Sequence, residues 1–246
     1  MAIDLYMKGV SYRGVKDSLQ QFLGLKINHV TAMRWIQNYM ARINAFVDNH
    51  QPQVSDTWHA DEQIVKVKGK NRYMWNCIDH DTRFLLSNHY SPTRITHDAR
   101  LLFQQAKDMA DKPEEDYRIP DRTIITDGAF AYDKAVKREF YTHSNPKPHK
   151  RYVSLRQKIG NNNIVERYHS SFRQRDKTMR GFKSVDGVET YAKDYKTYYN
   201  FIRPHLGLKS TPAEKAGIHE TRNWKELLVK SLNQPIRNTP NLPAED

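Results

Sequence analysis

Three short stretches rich in Val, Ile, Trp, Tyr and Phe follow one another between residues 58 and 90, split by only a few polar residues. Residues 58–67, 72–79 and 83–90 read as strands, and Gly69-Lys70-Asn71 and His80-Asp81-Thr82 suit hairpin turns. Connections this short leave no room for a crossover, so the three strands must pair antiparallel. The period then changes. Residues 94–110 put Ile95, Ala99, Leu102 and Ala106 on one helical stripe, residues 122–126 form a short strand, and residues 129–140, 161–179 and 188–201 read as helices. Strands first, then a helix, a strand and more helices give an α/β fold: a mixed sheet flanked by helices.

The segment before the strands has a different character. Ser11 can cap a helix with the stripe Val15, Leu19 and Phe22, and Gly24 can end it. A second helix follows, with Val30, Met33, Ile36 and Met40 inward and Thr31, Arg34, Gln37 and Asn38 outward. Two short helices joined by a Gly-containing turn suit a helix-turn-helix, and Arg34, Gln37 and Asn38 then face DNA. The competing reading is a plain helical hairpin. A complete domain of this kind needs a helix in front, and residues 1–9 offer only a turn or two, which reads as a shortened N-terminus. The expected organisation is a helix-turn-helix region over 1–47, a polar linker over 48–57 containing Pro52, an α/β domain over 58–218 and a C-terminal extension over 219–246.

Three carboxylates stand in settings that suit a metal ligand. Asp61 lies in a strand, where Asp is depleted and a buried charge needs a partner or a metal. Glu62 beside it points to the opposite face of an alternating strand, and is the alternative ligand if the register differs by one. Asp127 follows Ile124-Ile125-Thr126 at a strand's carboxyl end, before Gly128; its other reading is a cap for the next helix. Glu166 lies beside the apolar stripe Val165, Tyr168 and Phe172, on one helical face with Ser170 and Arg173; a lone Glu on a helix is otherwise a solvated one. From Lys147 to Lys183 there are 11 Lys or Arg and two acids, Glu166 and Asp176, with Tyr152, Tyr168, His169, Phe172 and Phe182 interleaved. Such mixing offers phosphate contacts and stacking surfaces, and Asn161-Asn162-Asn163 can cap the helix and meet a phosphate backbone.

The net charge of +12 points to a polyanionic partner, with nucleic acid the default. A single cysteine, Cys77, forbids an internal disulfide and a zinc knuckle. No stretch has the length and apolarity of a membrane helix and no signal peptide is visible, so the expected location is cytoplasmic.

Taken in order, Trp58-x-x-Asp61-Glu62, Thr126-Asp127-Gly128, Asn163-Ile164-Val165-Glu166-Arg167, Met179-Arg180-Gly181-Phe182-Lys183-Ser184, Tyr199-Asn200-Phe201-Ile202-Arg203-Pro204-His205 and Thr211-Pro212-Ala213-Glu214 resemble the DDE transposases of bacterial and archaeal insertion sequences, in the retroviral-integrase superfamily. The resemblance implies an RNase H-like fold, with Asp61, Asp127 and Glu166 as both catalytic residues and metal ligands. It implies two Mg²⁺ ions (Mn²⁺ can substitute), cleavage at the element's ends, and joining of the 3′-hydroxyl to target DNA. Arg173 matches the family's basic residue on the glutamate's helix. With Lys158, Arg167 and His169 it would contact double-stranded DNA, the transposon ends or the target. Joining two ends implies a homodimer or larger assembly. The 38 residues between Asp127 and Glu166 exceed the family's usual spacing, as a small insertion in the loop carrying Pro146 and Pro148 would explain. Two alternatives remain open: a non-catalytic DNA-binding protein derived from a transposase, and an RNase H-like nuclease.

Overall fold

The computed structural model describes residues 1–111, 120–152 and 162–233. Two compact units are present: residues 51–219, and residues 1–50 with the described residues after 219.

In the larger unit, β1 (Thr57–Val67), β2 (Lys70–Asp79) and β3 (Leu85–Ser91) form the expected antiparallel meander. Lys68 and Gly69 take left-handed φ values of 50° and 75° at the first turn. After α4 (Thr96–Ala110), β4 (Thr123–Thr126) returns parallel to β1, and after α5 (Phe130–Phe140), β5 (His149–Arg151) pairs parallel to β4. The sheet order β3-β2-β1-β4-β5 is the RNase H-like arrangement. The strand β5 lies in a stretch that is polar in sequence; its backbone pairing with β4, from Ile124↔His149 to Thr126↔Arg151, makes it a strand.

Each face of the sheet is covered by a helix pair. Trp58 and Trp75 meet Phe140 and Tyr132 of α5, and Phe103 of α4 closes on both, with ring centroids 5.3–6.1 Å apart. On the other face lie α6 (Asn163–Met179) and α7 (Val185–Thr197), followed by a π-helical turn over Tyr198–Ile202. Val65 and Val67 of β1 and Met74 of β2 are buried.

Three of the sequence motifs resolve into structural devices. Arg180 and Gly181 take φ values of 54° and 84° where α6 ends. Phe182 then bridges to Val67: its N–H donates to Lys66 O at 2.7 Å, and its carbonyl accepts from Lys68 N–H at 2.9 Å. A Cβ on Gly181 would lie 3.0 Å from Lys66 Cβ, so glycine serves both the turn and the close approach. Asn200, fully buried on the π-helical turn, accepts from Leu85 N–H at 2.9 Å and donates to Leu85 O at 3.0 Å, satisfying the edge of β3. Thr211 and Glu214 form a capping box on α8 (Pro212–Lys215), at 3.1 and 3.2 Å. Residues 51–56 lie against this unit: Gln53 N–H donates to Ala216 O, and Ser55 bonds the buried Asp79.

In the smaller unit α1 (Ala2–Met7) precedes α2 (Tyr12–Leu23) and α3 (His29–Val47), and α9 (Trp224–Leu232) packs on α3. Ser11 caps α2 through Gly14 N–H, and Gly24 ends it at φ 68°. Val15, Leu19, Ile36 and Met40 are buried, as the stripes require. Phe22 and Val30 are instead exposed at 74% and 37%, because they flank the α2–α3 turn beyond the packed stripe; Ala32 is the inward residue of the first α3 turns. Arg34, Gln37 and Asn38 are exposed on α3. No described helix is long and apolar enough to cross a membrane.

Candidate metal centre

Parallel pairing of β1 with β4 sets His59 opposite Ile125. Two residues further along, Asp61 therefore stands beside Asp127, the first residue past the end of β4. One carboxylate oxygen from each of Asp61, Glu62 and Asp127 lies within 4.8 Å of the other two. Glu62 joins Asp61 although the two start on opposite faces of β1. Its hydroxyl partner, Tyr132 at 2.7 Å, belongs to α5, whereas Asp61 looks towards α6. Because β4 stops at Thr126, β1 is paired only with β2 beside Asp61 and Glu62, and on the open β4 flank side chains from both faces reach round the edge to Asp127. Expecting Glu62 to point away holds only where a sheet continues on both sides.

Asp127 accepts from Ala129 N–H at 2.9 Å within the β4–α5 loop, and no side chain caps α5. Gly128 has φ 86°, and a Cβ there would meet Arg151 only at an ordinary 3.5 Å. Gly128→Ala is therefore expected to cost the backbone strain alone, about 1–2 kcal/mol. Thermal denaturation would read this as a drop of about 2–8 °C.

Glu166, exposed in the first turn of α6, lies outside the tight cluster, yet its charge is felt by Asp61. Burial, with the charges of Glu62, Asp127 and Glu166, pushes the Asp61 carboxyl up to about 8; a bond from Glu62 N–H opposes this. Burial also raises Glu62, against the pull of Tyr132 and Arg94. The Arg94 guanidinium pairs with Glu62 and lies 3.6 Å from Asp127. Four carboxylates with one internal cation form a crowded, hard-oxygen donor set, which suits Mg²⁺, Mn²⁺ or Ca²⁺ rather than a thiolate-loving metal. The crowding itself is the sign of fit, since a divalent cation would offset the burial and the repulsion that raise the Asp61 carboxyl.

The start of α6 is anchored. Asn162 is buried, and its side chain bonds His59 Nδ1 at 3.3 Å instead of capping the helix; His59 Nε2 in turn meets His80 Nδ1 at 2.8 Å. One turn beyond Glu166, His169 is 3% exposed, so its ring is not available to a ligand as a stacking or phosphate contact. Asn76 donates to His169 Nε2 at 3.0 Å, which puts the proton on Nδ1, 3.8 Å from Asp61 Oδ2. Burial, with the charge of Arg173, lowers His169 to about 3, so the ring packs beside Asp61 as a neutral group. Arg167, Ser170 and Arg173 are exposed along α6, and Lys158 lies outside the described residues. Sequence reasoning passed over Arg94, Tyr132, His59 and Asn76; a buried polar side chain in an apolar strand was the available signal for the last two.

A family model described as a DDE domain, that of IS240 transposases, matches residues 55–205, which carry all four carboxylates. The chain belongs to the DDE transposase family. Transposases of insertion sequence-like element IS431mec from Staphylococcus aureus are 29% identical over 80 residues, 32% of this chain and 35% of theirs. The S. aureus transposase of IS257 in transposon Tn4003 matches to the same extent. The alignment thus spans about a third of these relatives' length. Among solved structures, the magnesium-bound HTLV-2 integrase catalytic core domain is 15% identical, covering 68% of this chain and 97% of that one at a TM-score of 0.47. A chain of the simian T-cell lymphotropic virus intasome with PP2A regulatory subunit B56 gamma is 11% identical, covering 100% and 80% at 0.46.

Proposed function

We propose that this DDE-family chain cleaves DNA strands at the ends of an insertion sequence and joins them to target DNA, using two Mg²⁺ ions or Mn²⁺ in their place. The observation that carries the reading is the convergence of Asp61, Glu62 and Asp127 within 4.8 Å, with Glu166 electrostatically coupled to Asp61. Asp61, Asp127 and Glu166 would hold the cations, with Glu62 beside them. Bound there, such ions stabilise the attacking and leaving oxygens of an in-line displacement at phosphorus.

The chain's own groups do the rest. Neutral His169 packs beside Asp61, whose Oδ1 accepts from Glu62 N–H. Tyr132 and Arg94 hold Glu62 at the rim of the cluster. Arg173, exposed two turns along α6 from Glu166, binds the phosphate backbone of a transposon end. Arg34, Gln37 and Asn38 on α3 enter the major groove. Two ends must meet, so the working form is a homodimer or larger assembly on DNA.

A strand-transfer assay with labelled element ends, a target plasmid and Mg²⁺ tests this. Wild type should give joined products that EDTA abolishes. Asp127→Asn should fall by about three orders of magnitude, since each lost ligand removes several kcal/mol of charge stabilisation. Equal activity of Asp127→Asn and wild type would refute the metal-site assignment, and cutting without joining would favour the nuclease reading.

A further inference from the structure

A second polar site lies on the same helix. Where the β2–β3 turn, the first turns of α6 and the loop after the π-helical turn meet, a cavity of about 230 Å³ is lined by Arg83, Asn163, Arg167, His205, Gly207 and Leu208. Asn163 and Arg167 are one helical turn apart on one face. Arg167 directly follows Glu166, so the cavity and the carboxylate cluster flank adjoining faces of α6.

The charge in the cavity is positive. The charges that act on His205 are those of Arg83, Arg203 and Arg167, all three cationic, and burial and these charges hold its ring below its usual range. His205 Nδ1 is buried without a hydrogen-bond partner among the described residues. The backbone around it is fixed: His205 N–H donates to Ser210 O, and His205 O accepts from Leu208 and Lys209 N–H. Arg83 is held half-buried by its bond to His80 O, on a left-handed backbone at φ 61°. Two acids lie near it. Asp79 is saturated by Ser55 and Thr82, and Asp81 stands on the exposed turn. Arg167 makes no ion pair among the described residues and its side chain is exposed. Two arginines, Arg83 and Arg167, lining one small concavity with Asn163 make a receptor for a tetrahedral oxyanion.

We propose that this cavity is a phosphate-binding site that holds a backbone phosphodiester of the DNA strand, next to the position the carboxylate cluster serves. The proposal rests on the reading of the chain as one that acts on DNA. Size favours a backbone phosphate over a free nucleotide, because sites for whole small molecules begin at about 300 Å³. Position favours it as well, since a strand lying across the carboxylates continues along α6 past Arg167.

The test is the salt dependence of DNA binding by the full chain in EDTA, where no catalysis occurs, read by anisotropy of a labelled random-sequence duplex. Arg167→Gln keeps helix propensity at an exposed site, and its melting curve should match wild type. Loss of one phosphate contact should make the slope of log K against log salt shallower by about 1. Over a fourfold rise in salt, wild type should then lose about 3- to 4-fold more affinity than the variant. Arg83→Gln should give the same slope change, and Arg167→Lys should restore most of it. A slope unchanged in Arg167→Gln, with wild type binding the duplex, overturns the cavity assignment alone. A wild type that binds no duplex overturns the broader reading and the cavity with it. Inorganic phosphate is the second arm: calorimetric binding of phosphate that Arg167→Gln abolishes, with an unchanged DNA slope, assigns the cavity to a free anion and overturns the proposal.

Discussion

Asp61→Asn should melt higher than wild type in EDTA while losing the activity the site supports. The carboxyl is pushed up to about 8 from a usual 3.8, by burial and by three neighbouring carboxylates. Between those two pH values the unfolded chain has released the proton and the folded chain still holds it, so wild-type stability falls as pH rises. Asparagine carries no such proton and escapes the loss. The gain of the variant should be near zero below pH 4, grow through the neutral range and level off above pH 8. The span from 3.8 to about 8 sets an upper bound of about 6 kcal/mol on that gain. A smaller value follows because Asn must turn Oδ1 to Glu62 N–H, which leaves its amide facing the His169 Nδ1–H. A gain of about 2–4 kcal/mol at pH 8 corresponds to roughly 4–16 °C in a chain of this size. Adding Mg²⁺ should reverse the order. Wild type gains about 4.1 kcal/mol at about a thousandfold excess over its dissociation constant, and the variant, lacking a ligand, gains little. Melting curves at pH 5, 7 and 8.5, with and without Mg²⁺, would show both effects; an Asn variant no more stable than wild type at pH 8.5 in EDTA would mean that the carboxylates are not crowded.

The same residues show what a sequence can and cannot convey. Asp61 and Asp127 were legible as candidates because strand period and strand end are local properties: Asp61 lies inside β1 and Asp127 follows the last residue of β4. Glu166 and its neighbours Ser170 and Arg173 were legible because helical phase is local, and all three are exposed along α6. Glu62 was not, since its position in the cluster depends on β4 ending one residue before Asp127, a fact about two strands that are distant in sequence. The role of His169 was hidden in the same way: an imidazole among cations reads as a phosphate contact until Asn76, 93 residues away, takes its Nε2. Asn162 looked like a helix cap, yet it bonds His59, 103 residues distant. The three-residue β5 is invisible to periodicity because backbone pairing alone defines it.

Phe172→Ala should be among the most damaging substitutions outside the carboxylate cluster. Phe172 is fully buried, with ring centroids 5.3 Å from Tyr191, 5.4 Å from Tyr195, 6.2 Å from Tyr168 and 6.4 Å from Phe182. These rings join α6 to α7 and to the segment that Phe182 pins against β1. Truncation removes the transfer energy of the ring and leaves a cavity among large, rigid neighbours that cannot collapse into it, costing about 3–5 kcal/mol. In thermal denaturation that is roughly 6–20 °C. Phe172→Leu keeps most of the volume and should cost about 1.5 kcal/mol or less. The loss has a functional side, because Glu166 rides on α6 less than two turns from this ring and depends on the helix holding its register. Below its lowered melting point Phe172→Ala should therefore bind Mg²⁺ more weakly than wild type, with the same pH dependence, whereas Asp61→Asn should bind weakly with that dependence removed. An alanine variant within about 1 kcal/mol of wild type would show that α6 is held by its anchors at Asn162 and Phe182, not by the aromatic cluster.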